Sequence, residues 1–478
     1  MRYLTVIILS LLSTNSFGQP QVWSLDSCIA YAFEHNIALQ QSALNVSLAE
    51  INQQTAVGGL LPNLNAQASH GYNWGQRIDQ FTNQFASERI RSNNLGIATS
   101  VNLFNGFQQV NAVRQANLQI ERSKADLDKM KNDIALNVAS SFLTVLLNKE
   151  FLDIAKSNRD NSEAQARRLE KLVAVGQQAE GNLNDMLARL ASDEASLVSA
   201  ENSYNLSKLA LMQLLMLNTD QMDNFELEIP ELDDTADSGL MNNPNALVQA
   251  ALANFPEVKS STLNVAGNDV GLKIARGAML PSISASASYG TGYSGAARVL
   301  TGDPELVMLP IGYVQTTQDI VLAPQLNYGS DDFTLKPFDK QLKDNVNQSL
   351  FFTLSVPIFN GFNTRAGIKR AEVNLKNAEL QLDQTKQTLE QSVQRAAADA
   401  KAAYATYDAS KKSVEANQKA FDWNKVRYEN GLLNATDYNA SRIQLDNARA
   451  TETRSKYDFL FKTKVLEFYQ GRPISLKK

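Results

Sequence analysis

The chain contains an internal repeat, and this repeat constrains the fold more than any other feature of the sequence. Leu103–Phe107 has the sequence LFNGF, and Ile358–Phe362 has the sequence IFNGF, 255 residues further along. Upstream of these motifs the offset between matching residues is 219, as between Pro62 and Pro281. Matches at a fixed offset indicate a tandem duplication. Since the two offsets differ by 36 residues, the second copy carries an insertion of that length between its proline and its IFNGF motif.

The duplication predicts how the chain is divided. The two copies are expected at residues 24–218 and 245–470. Between them, 219–244 is rich in Asp and Glu and is interpreted as an acidic linker or equatorial segment, with a short edge strand where Phe225–Ile229 alternates. Residues 471–478 form a C-terminal tail.

The N-terminus predicts export from the cytoplasm. Arg2 precedes the apolar run Leu4–Leu12, and mostly small or polar residues follow as far as Gly18. This pattern is typical of a secretory signal peptide, here residues 1–18, and the run is too short to span a membrane as a helix. Cys28 is too far from the apolar run to carry a lipid anchor and is interpreted as a buried helical residue.

In each copy a helix precedes a β-hairpin. In the first copy the helix is predicted over Ser24–Leu60, with its N-cap near Asp26 and its end at Pro62. After each proline the hydrophobic period changes from 3.6 to 2, which predicts hairpins at 62–104 and 281–358. The residues predicted to lie on the polar face, and to line the lumen of a barrel, include Asn63, Asn65, Gln67, Ser282, Ser284 and Ser286.

These strands fit either a membrane barrel or a soluble sheet with one wet face. Their length of about ten residues, the Tyr and Trp residues near their ends and the signal peptide favour the barrel. Four strands cannot close a barrel, because the smallest bacterial barrels have about eight. Open strand edges are not tolerated in lipid, so identical chains must complete the sheet. Two copies would give eight strands and three would give twelve, and the strand pattern does not choose between them.

A very long helix follows each hairpin. No proline interrupts 105–175 or 360–430, and at about 1.5 Å per residue each stretch is on the order of 100 Å long. Apolar stripes run along these helices at Ile134, Val138, Phe142 and Val145 in the first copy and at Leu389, Val393, Ala397 and Ala400 in the second. Gly176 and Gly431 end them, and a second helix returns in each copy. Helices of this length must pack laterally against other helices.

Composition excludes several other kinds of protein. The net charge of −5 does not suit a nucleic-acid surface. With one cysteine and two histidines, the chain has no multi-thiolate or multi-histidine metal site, and no Ser-His-Asp set is supported. No enzyme activity, metal or cofactor is therefore expected.

The ordered and doubled set of motifs resembles the TolC-like outer membrane efflux protein family. The set consists of LLPN or MLPS before a strand, an FNGF motif before a long helix, and a glycine turn between two helices. The resemblance implies a tandem-duplicated fold of α and transmembrane β structure, in which four strands per chain contribute to a 12-stranded trimeric barrel. A long periplasmic α-helical tunnel and a small mixed equatorial region continue the barrel. The implied partners are a periplasmic adaptor (membrane fusion) protein, an inner-membrane pump of the proton-driven RND or ATP-driven ABC type, and outer-membrane lipid.

The resemblance also implies that the helix turns close the tunnel. Asp437 matches an acidic position of the family that rings the pore, and Tyr428 matches a tyrosine position beside the turn. A second acidic position is occupied by Ala440, and a basic position by Leu433. The candidate gate residues are Asp437, Tyr428 and Gly431 in the second copy and Gly176, Asn182 and Asp185 in the first. A solvated helix end without a gating role is the alternative for all of them.

The expected function is that of an outer-membrane channel in a tripartite efflux pump or a type I secretion system. It would be a passive exit duct, located in the outer membrane and extending into the periplasm, that adaptor and pump open at the periplasmic tip. The alternative is a soluble periplasmic coiled-coil scaffold or adaptor protein. The sequence does not identify the substrate.

Overall fold

The computed structural model describes residues 22–78, 83, 85–86, 89–223, 225–229, 243–327 and 333–475. The predicted signal peptide, residues 230–242 of the acidic segment and the end of the tail lie outside this set. The described residues form two compact units. The helical unit contains the described residues of Met1–Ile51, Asn117–Asn268 and Asn374–Lys478, and the sheet unit contains those of Asn52–Ala116 and Asp269–Val373.

The helices follow the duplication. In chain order they are α1 (Leu25–His35), α2 (Ile37–Gly58), α3 (Gln108–Ala174), α4 (Glu180–Leu214), α5 (Thr219–Asp223), α6 (Pro244–Asn254), α7 (Pro256–Gly277), α8 (Phe338–Asp344), α9 (Asn363–Glu429) and α10 (Ala435–Tyr469). The two long helices, α3 and α9, each have 67 residues, and the two returning helices, α4 and α10, each have 35. The long helices were predicted to within three residues at each end.

The strands comprise one main set and several short pairs. They are β1 (Val22–Trp23), β2 (Asn63–Asn73), β3 (Arg77–Ile78), β4 (Phe85–Ala86), β5 (Ile90–Asn105), β6 (Glu226–Leu227), β7 (Ser282–Ser294), β8 (Arg298–Leu300), β9 (Glu305–Tyr313), β10 (Ile320–Asn327), β11 (Phe333–Leu335) and β12 (Asn347–Ser355). In the linker region β6 pairs in parallel with β1, so the predicted edge strand is present, with only two residues.

The predicted single helix Ser24–Leu60 is wrong, because Asn36 divides it into α1 and α2. Asn36 has extended backbone dihedrals, and its side-chain Oδ1 accepts hydrogen bonds from the N–H groups of Ala38 and Leu39 at 2.9 and 3.2 Å. It therefore caps the helix that follows. The predicted N-cap is also wrong: Ser24, not Asp26, accepts the bond from the N–H of Ser27.

The second copy has the same break at the matching position, but a proline causes it instead of an asparagine cap. Phe255 is extended and Pro256 begins α7. Proline disfavours the helical conformation in the residue before it and is well tolerated in the first turn of a helix. An asparagine cap in one copy and a proline in the other thus make the same bend.

In the sheet unit, β2, β5, β7 and β12 form one antiparallel sheet in the order β12-β7-β5-β2. Each predicted hairpin is present, and the pair β5–β7 joins the two copies side by side. The second hairpin was predicted to run to Ile358, whereas β12 ends at Ser355. Pro357 lacks the N–H group that a ladder needs, which accounts for the earlier end.

The repeated FNGF motif forms the same turn in both copies. Gly106 and Phe107 have φ angles of 66° and 62°, and Gly361 and Phe362 have 63° and 64°. A phenylalanine in this left-handed region is uncommon. In each copy its ring packs edge-on against the phenylalanine three residues earlier, with centroids 5.1 and 5.5 Å apart. The turn and its ring pair explain why the motif is present in both copies.

The insertion of the second copy lies between β7 and β12, as the offsets predicted. The connection that contains it holds the pair β8–β11, the hairpin β9–β10 and the short helix α8. Gln341 of α8 is fully buried and holds the end of β7. Its amide accepts a bond from the N–H of Ser294 at 2.9 Å and donates to the carbonyls of Ser294 and Lys336 at 3.0 and 2.8 Å.

The core of the helical unit contains both predicted apolar stripes. Every residue of the two stripes is buried, and all of them belong to one cluster, which also contains Trp23, Cys28 and Phe225. Burial raises the pKa of the Cys28 thiol to about 12, so this cysteine is a core residue with little thiolate character at neutral pH.

Candidate functional site

The polar residues predicted for a lumen lie on one face of the four-stranded sheet. Asn63 is opposite Ser100, which is opposite Ser286 on the next strand. Asn65 and Gln67 are opposite Ala98 and Gly96, two and four residues before Ser100, and therefore lie on the same face. Ser284 is opposite Asn102, and Ser282 is opposite Asn105 beyond a bulge between Asn102 and Phe104.

This polar face is uncharged at these positions and carries short side chains. The side-chain oxygen of Asn63 accepts bonds from the N–H and hydroxyl of Ser100 at 2.9 and 3.1 Å. Ser288 and Ser349 hydroxyls are 2.7 Å apart. Phe351, opposite Ser286, interrupts the polar face. Whether the six predicted residues line a lumen stays a prediction.

The opposite face of the sheet is apolar and exposed. Leu64 is 74% exposed, Phe352 67% and Leu354 64%. Ile97 and Tyr289 are paired on the same face and are also exposed. Within the described residues, no other element of the sheet unit covers these side chains. A face of this kind needs an apolar environment to be stable.

The two helix turns share one motif. Gly176 has φ of 69°, its N–H donates to the carbonyl of Val173 at 3.0 Å, and the next N–H, from Gln177, donates to Leu172 at 2.8 Å. In the second copy Gly431 has φ of 73°, and its N–H donates to the carbonyl of Tyr428 at 3.0 Å. The next N–H, from Leu432, donates to the carbonyl of Arg427 at 2.8 Å. This is the Schellman arrangement, in which glycine takes the left-handed position after a helix. The predicted ends of both long helices are therefore correct.

Asp437 lies in the first turn of α10, on the solvent side. Asn434 caps the helix: its Oδ1 accepts from the N–H of Asp437 at 2.8 Å, and its amide donates to the Asp437 carboxylate at 3.0 Å. A carboxylate in the first turn is also favoured by the helix dipole. The side chain of Asp437 is exposed, and its place at a pore stays a prediction.

Tyr428 stacks on Tyr438, the residue after Asp437. Their ring centroids are 4.6 Å apart and the rings are nearly parallel. Burial raises the pKa of both phenols. The amide of Gln165 on α3 donates to the hydroxyl of Tyr438 at 3.3 Å. The stacked pair therefore fixes the turn of the second copy and links it to the long helix of the first copy.

The first-copy candidates are less constrained. Asn182 and Asp185 lie in the first turns of α4. The amide of Asn182 donates to Gln178 at 2.8 Å, and Asp185 is exposed. Within the part of the chain that the structure describes, no hydrogen bond or ion pair joins either residue to Asp437.

Sequence analysis missed a buried charge network behind the turns. Arg189 of α4 pairs with Asp193 on its own helix at 3.1 Å and with Asp446 of α10 at 3.4 Å. Asp193 is 5% exposed and accepts a bond from the buried hydroxyl of Ser162 on α3. Arg442 lies 3.9 Å from Asp446.

Three helices contribute to this network. Arg442 donates to the carbonyl of Asn158 on α3 at 3.0 Å, while its other terminal nitrogen is buried without a partner. Burial raises the pKa of Asp446 above its ordinary value, and the lowering effect of Arg442 and Arg189 is smaller. The i,i+4 spacing of Arg189 and Asp193, and of Arg442 and Asp446, was the available sequence signal. Such spacing usually marks exposed pairs, so it did not indicate burial.

Neither metal-binding groups nor membrane-spanning helices add a site among the described residues. No group of three or more His, Cys, Asp or Glu residues among them is arranged to hold a metal ion. Among the helices that the structure describes, none has the length and apolar character to cross a membrane.

Comparison with known proteins identifies the family. The family model described as outer membrane efflux protein matches residues 29–215 and 247–471. Pyoverdine export outer membrane protein OpmQ of Pseudomonas aeruginosa is 25% identical over 291 residues, which cover 59% of this chain and 58% of that protein. Outer membrane protein TolC of Escherichia coli is 21% identical over 266 residues, 51% of this chain and 54% of that protein. The chain thus spans somewhat more than half the length of these relatives.

The fold is that of solved outer-membrane channels. The crystal structure of the Campylobacter jejuni CmeC outer membrane channel superposes with a TM-score of 0.73, covering 95% of this chain and 87% of that one, at 16% identity. At this identity the likeness shows the fold alone. Together these findings confirm the expected family, fold class and outer-membrane location. The family model matches most of both repeats, and the chain belongs to the outer membrane efflux protein family.

Proposed function

We propose that three copies of this chain form the outer-membrane channel of a tripartite efflux pump or a type I secretion system. The channel is a passive exit duct, and its periplasmic tip is opened by an adaptor and a pump. The observation that carries the proposal is the four-stranded sheet, which has one exposed apolar face and one polar face. Its two edge strands, β2 and β12, have no further partner strand among the described residues.

The sheet supports both the location in the membrane and the assembly of three copies. Lipid supplies the apolar environment that Leu64, Phe352 and Leu354 lack in one chain. Lipid does not tolerate the free backbone groups of β2 and β12, so these edges pair with neighbouring copies. Three chains of four strands close a barrel of twelve. The polar face with Asn63 and Ser286 then lines the exit.

The helices supply the rest of the duct. Helices α3 and α9 are too long for one globular core, and their shared stripe of buried residues packs them laterally. In the trimer, the turns at Gly176 and Gly431 form the tip. Three copies of Asp437 face the axis there and favour cations, because like charges in a narrow pore focus the field.

The energy for transport comes from the partners. An inner-membrane pump of the RND or ABC type drives the substrate. A periplasmic adaptor engages the tip and dilates it. Specificity lies mainly in the pump. OpmQ is described as a pyoverdine export protein, and an exported siderophore is one substrate class to test.

Membrane fractionation and gel migration test the proposal. The native chain is expected in the outer-membrane fraction and as a trimer band that heating converts to monomer. In planar bilayers the purified trimer is expected to give discrete conductance steps. A monomer in the soluble periplasmic fraction would overturn the proposal and favour the alternative, a coiled-coil scaffold.

A further inference from the structure

The hairpin formed by β9 and β10 carries an apolar surface that its own chain leaves uncovered. The two strands form a separate two-stranded sheet within the insertion. One face carries six apolar side chains, all of them exposed: Leu306, Met308, Pro310, Leu322, Pro324 and Leu326. An isolated two-stranded hairpin is marginally stable in water, so this one needs a partner.

The second face is apolar in its middle part. Val307, Leu309 and Ala323 lie there, while Glu305, Gln325 and Asn327 make the base polar. Glu305 and Asp319 are the charged residues of 305–327, and no Lys or Arg occurs in this range. The surface therefore offers nothing to a strongly acidic partner and little to a basic one, which leaves apolar packing as its means of association.

Two prolines disfavour pairing through the hairpin edges. Pro324 is opposite Met308, and Pro310 is opposite Leu322. A proline cannot donate within the ladder, so both stand at positions where the backbone N–H would point away from the partner strand. Each free edge of the hairpin thus lacks a donor that strand addition requires. The other backbone N–H and C=O groups along these free edges also make it costly to bury the hairpin in the hydrocarbon of a membrane. A partner must pack against the faces.

We propose that the hairpins of three copies pack on one another above the mouth of the barrel, the apolar face of each against the second face of the next. This rests on the trimer of the proposed function. A closed ring of three copies uses two different surfaces of every chain, and this hairpin has two. The insertion also follows β7 and leads into β12, the edge strand at which the neighbouring copy pairs, so the contact continues that interface.

The hairpin is long enough to make this contact. Twelve strands about 4.8 Å apart and tilted by about 40° close a barrel with a radius of roughly 12 Å. Strand β9 has nine residues, which at about 3.3 Å per residue gives a length of roughly 30 Å. Each hairpin is therefore long enough to reach the barrel axis. Because one barrel holds all three hairpins, their effective concentration for one another is high.

Cysteine crosslinking of the purified trimer tests the contact. Met308→Cys and Leu309→Cys place thiols on opposite faces of β9, and Cys28 can stay because it is buried. With a short bismaleimide, most of the double variant is expected to shift to a covalent trimer on a denaturing gel. The unmodified chain, each single variant and Asp303→Cys, an exposed position outside the hairpin, are expected to remain monomers.

Other outcomes contradict the contact in distinct ways. A native trimer whose two cysteines react freely with a soluble maleimide, without crosslinking, overturns it and leaves the proposed function intact. Covalent dimers of Met308→Cys alone indicate a symmetric contact instead. Quenching of a fluorophore at position 308 by brominated lipids places the face in the membrane. Absence of any native trimer overturns the proposed function as well.

Discussion

At the scale of single residues, Asp437 can be tested with little structural risk. Its backbone N–H makes the capping bond with Asn434, so a change of its side chain keeps that bond. Asp437→Asn is expected to lower the cation selectivity of the proposed channel, because the proposed ring of three carboxylates loses its charge. Single-channel reversal potentials in a salt gradient measure this. Asp383→Asn, exposed on α9, is the control and should change nothing. Unchanged selectivity of Asp437→Asn would remove Asp437 from the pore.

The buried network makes a second prediction at this scale. Arg189→Met leaves the buried Asp193 and the largely buried Asp446 without their shared cation. Breaking such a pair is expected to cost roughly 3 kcal/mol. Lys412→Met is the matched control, because its i,i+4 pair with Asp408 is largely exposed, and it should cost less than about 1 kcal/mol. Thermal unfolding followed by helix ellipticity compares the two, and equal losses would contradict the network.

The pH dependence of this loss has a definite sign. Burial raises the pKa of Asp446 in the folded chain above its value in the unfolded chain. Ionisation of Asp446 therefore lowers the free energy of unfolding as pH rises from the unfolded pKa through the folded one. Without Arg189 the pKa rises further, since one opposing cation is lost. The deficit of Arg189→Met is therefore expected to be largest at neutral pH and smaller at mildly acidic pH. A deficit that does not depend on pH would indicate lost packing alone.

At the scale of elements, the two glycine turns determine where the long helices end. Gly431 has φ of 73°, and a Cβ placed there would meet nothing within 4 Å, so Gly431→Ala adds only backbone strain, of about 1–2 kcal/mol. Hydrogen exchange at the turn is expected to become faster, with the sheet unit unchanged. Gly181→Ala is the control, because that glycine lies in α4, without a left-handed φ and with open space around it. Equal exchange in both variants would contradict the role of the turn.

At the scale of the whole molecule, the two faces of the sheet should tolerate charge differently. Phe352 lies on the apolar face and Thr353, the next residue, on the polar face. Phe352→Lys places a charge in lipid, at a cost of about 2–4 kcal/mol per chain near the membrane centre. The trimer band of Phe352→Lys is expected to weaken or disappear, whereas Thr353→Lys should retain it. Equal effects of the two variants would mean that the sheet does not separate lipid from water.

The sequence by itself determined the features that repeat with a period or an offset. The duplication, the two faces of the hairpins, the site of the insertion and the ends of the long helices all follow from local chemistry, namely proline, glycine and alternating hydrophobicity. The stripe from Ile134 to Val145 was assigned correctly for the same reason. Such signals come from residues close together in the chain, and the physics that they report is local.

Only the tertiary structure decided the features that depend on distant residues meeting. The pairing of β5 with β7, the stack of Tyr428 on Tyr438 and the network of Arg189, Asp193 and Asp446 join different elements. The break at Asn36 also escaped prediction, since asparagine within an amphipathic pattern serves equally as a solvated helical residue or as a cap. Burial turns an ordinary i,i+4 pair into a costly buried charge. A linear pattern of residues does not show which of its faces another helix will cover.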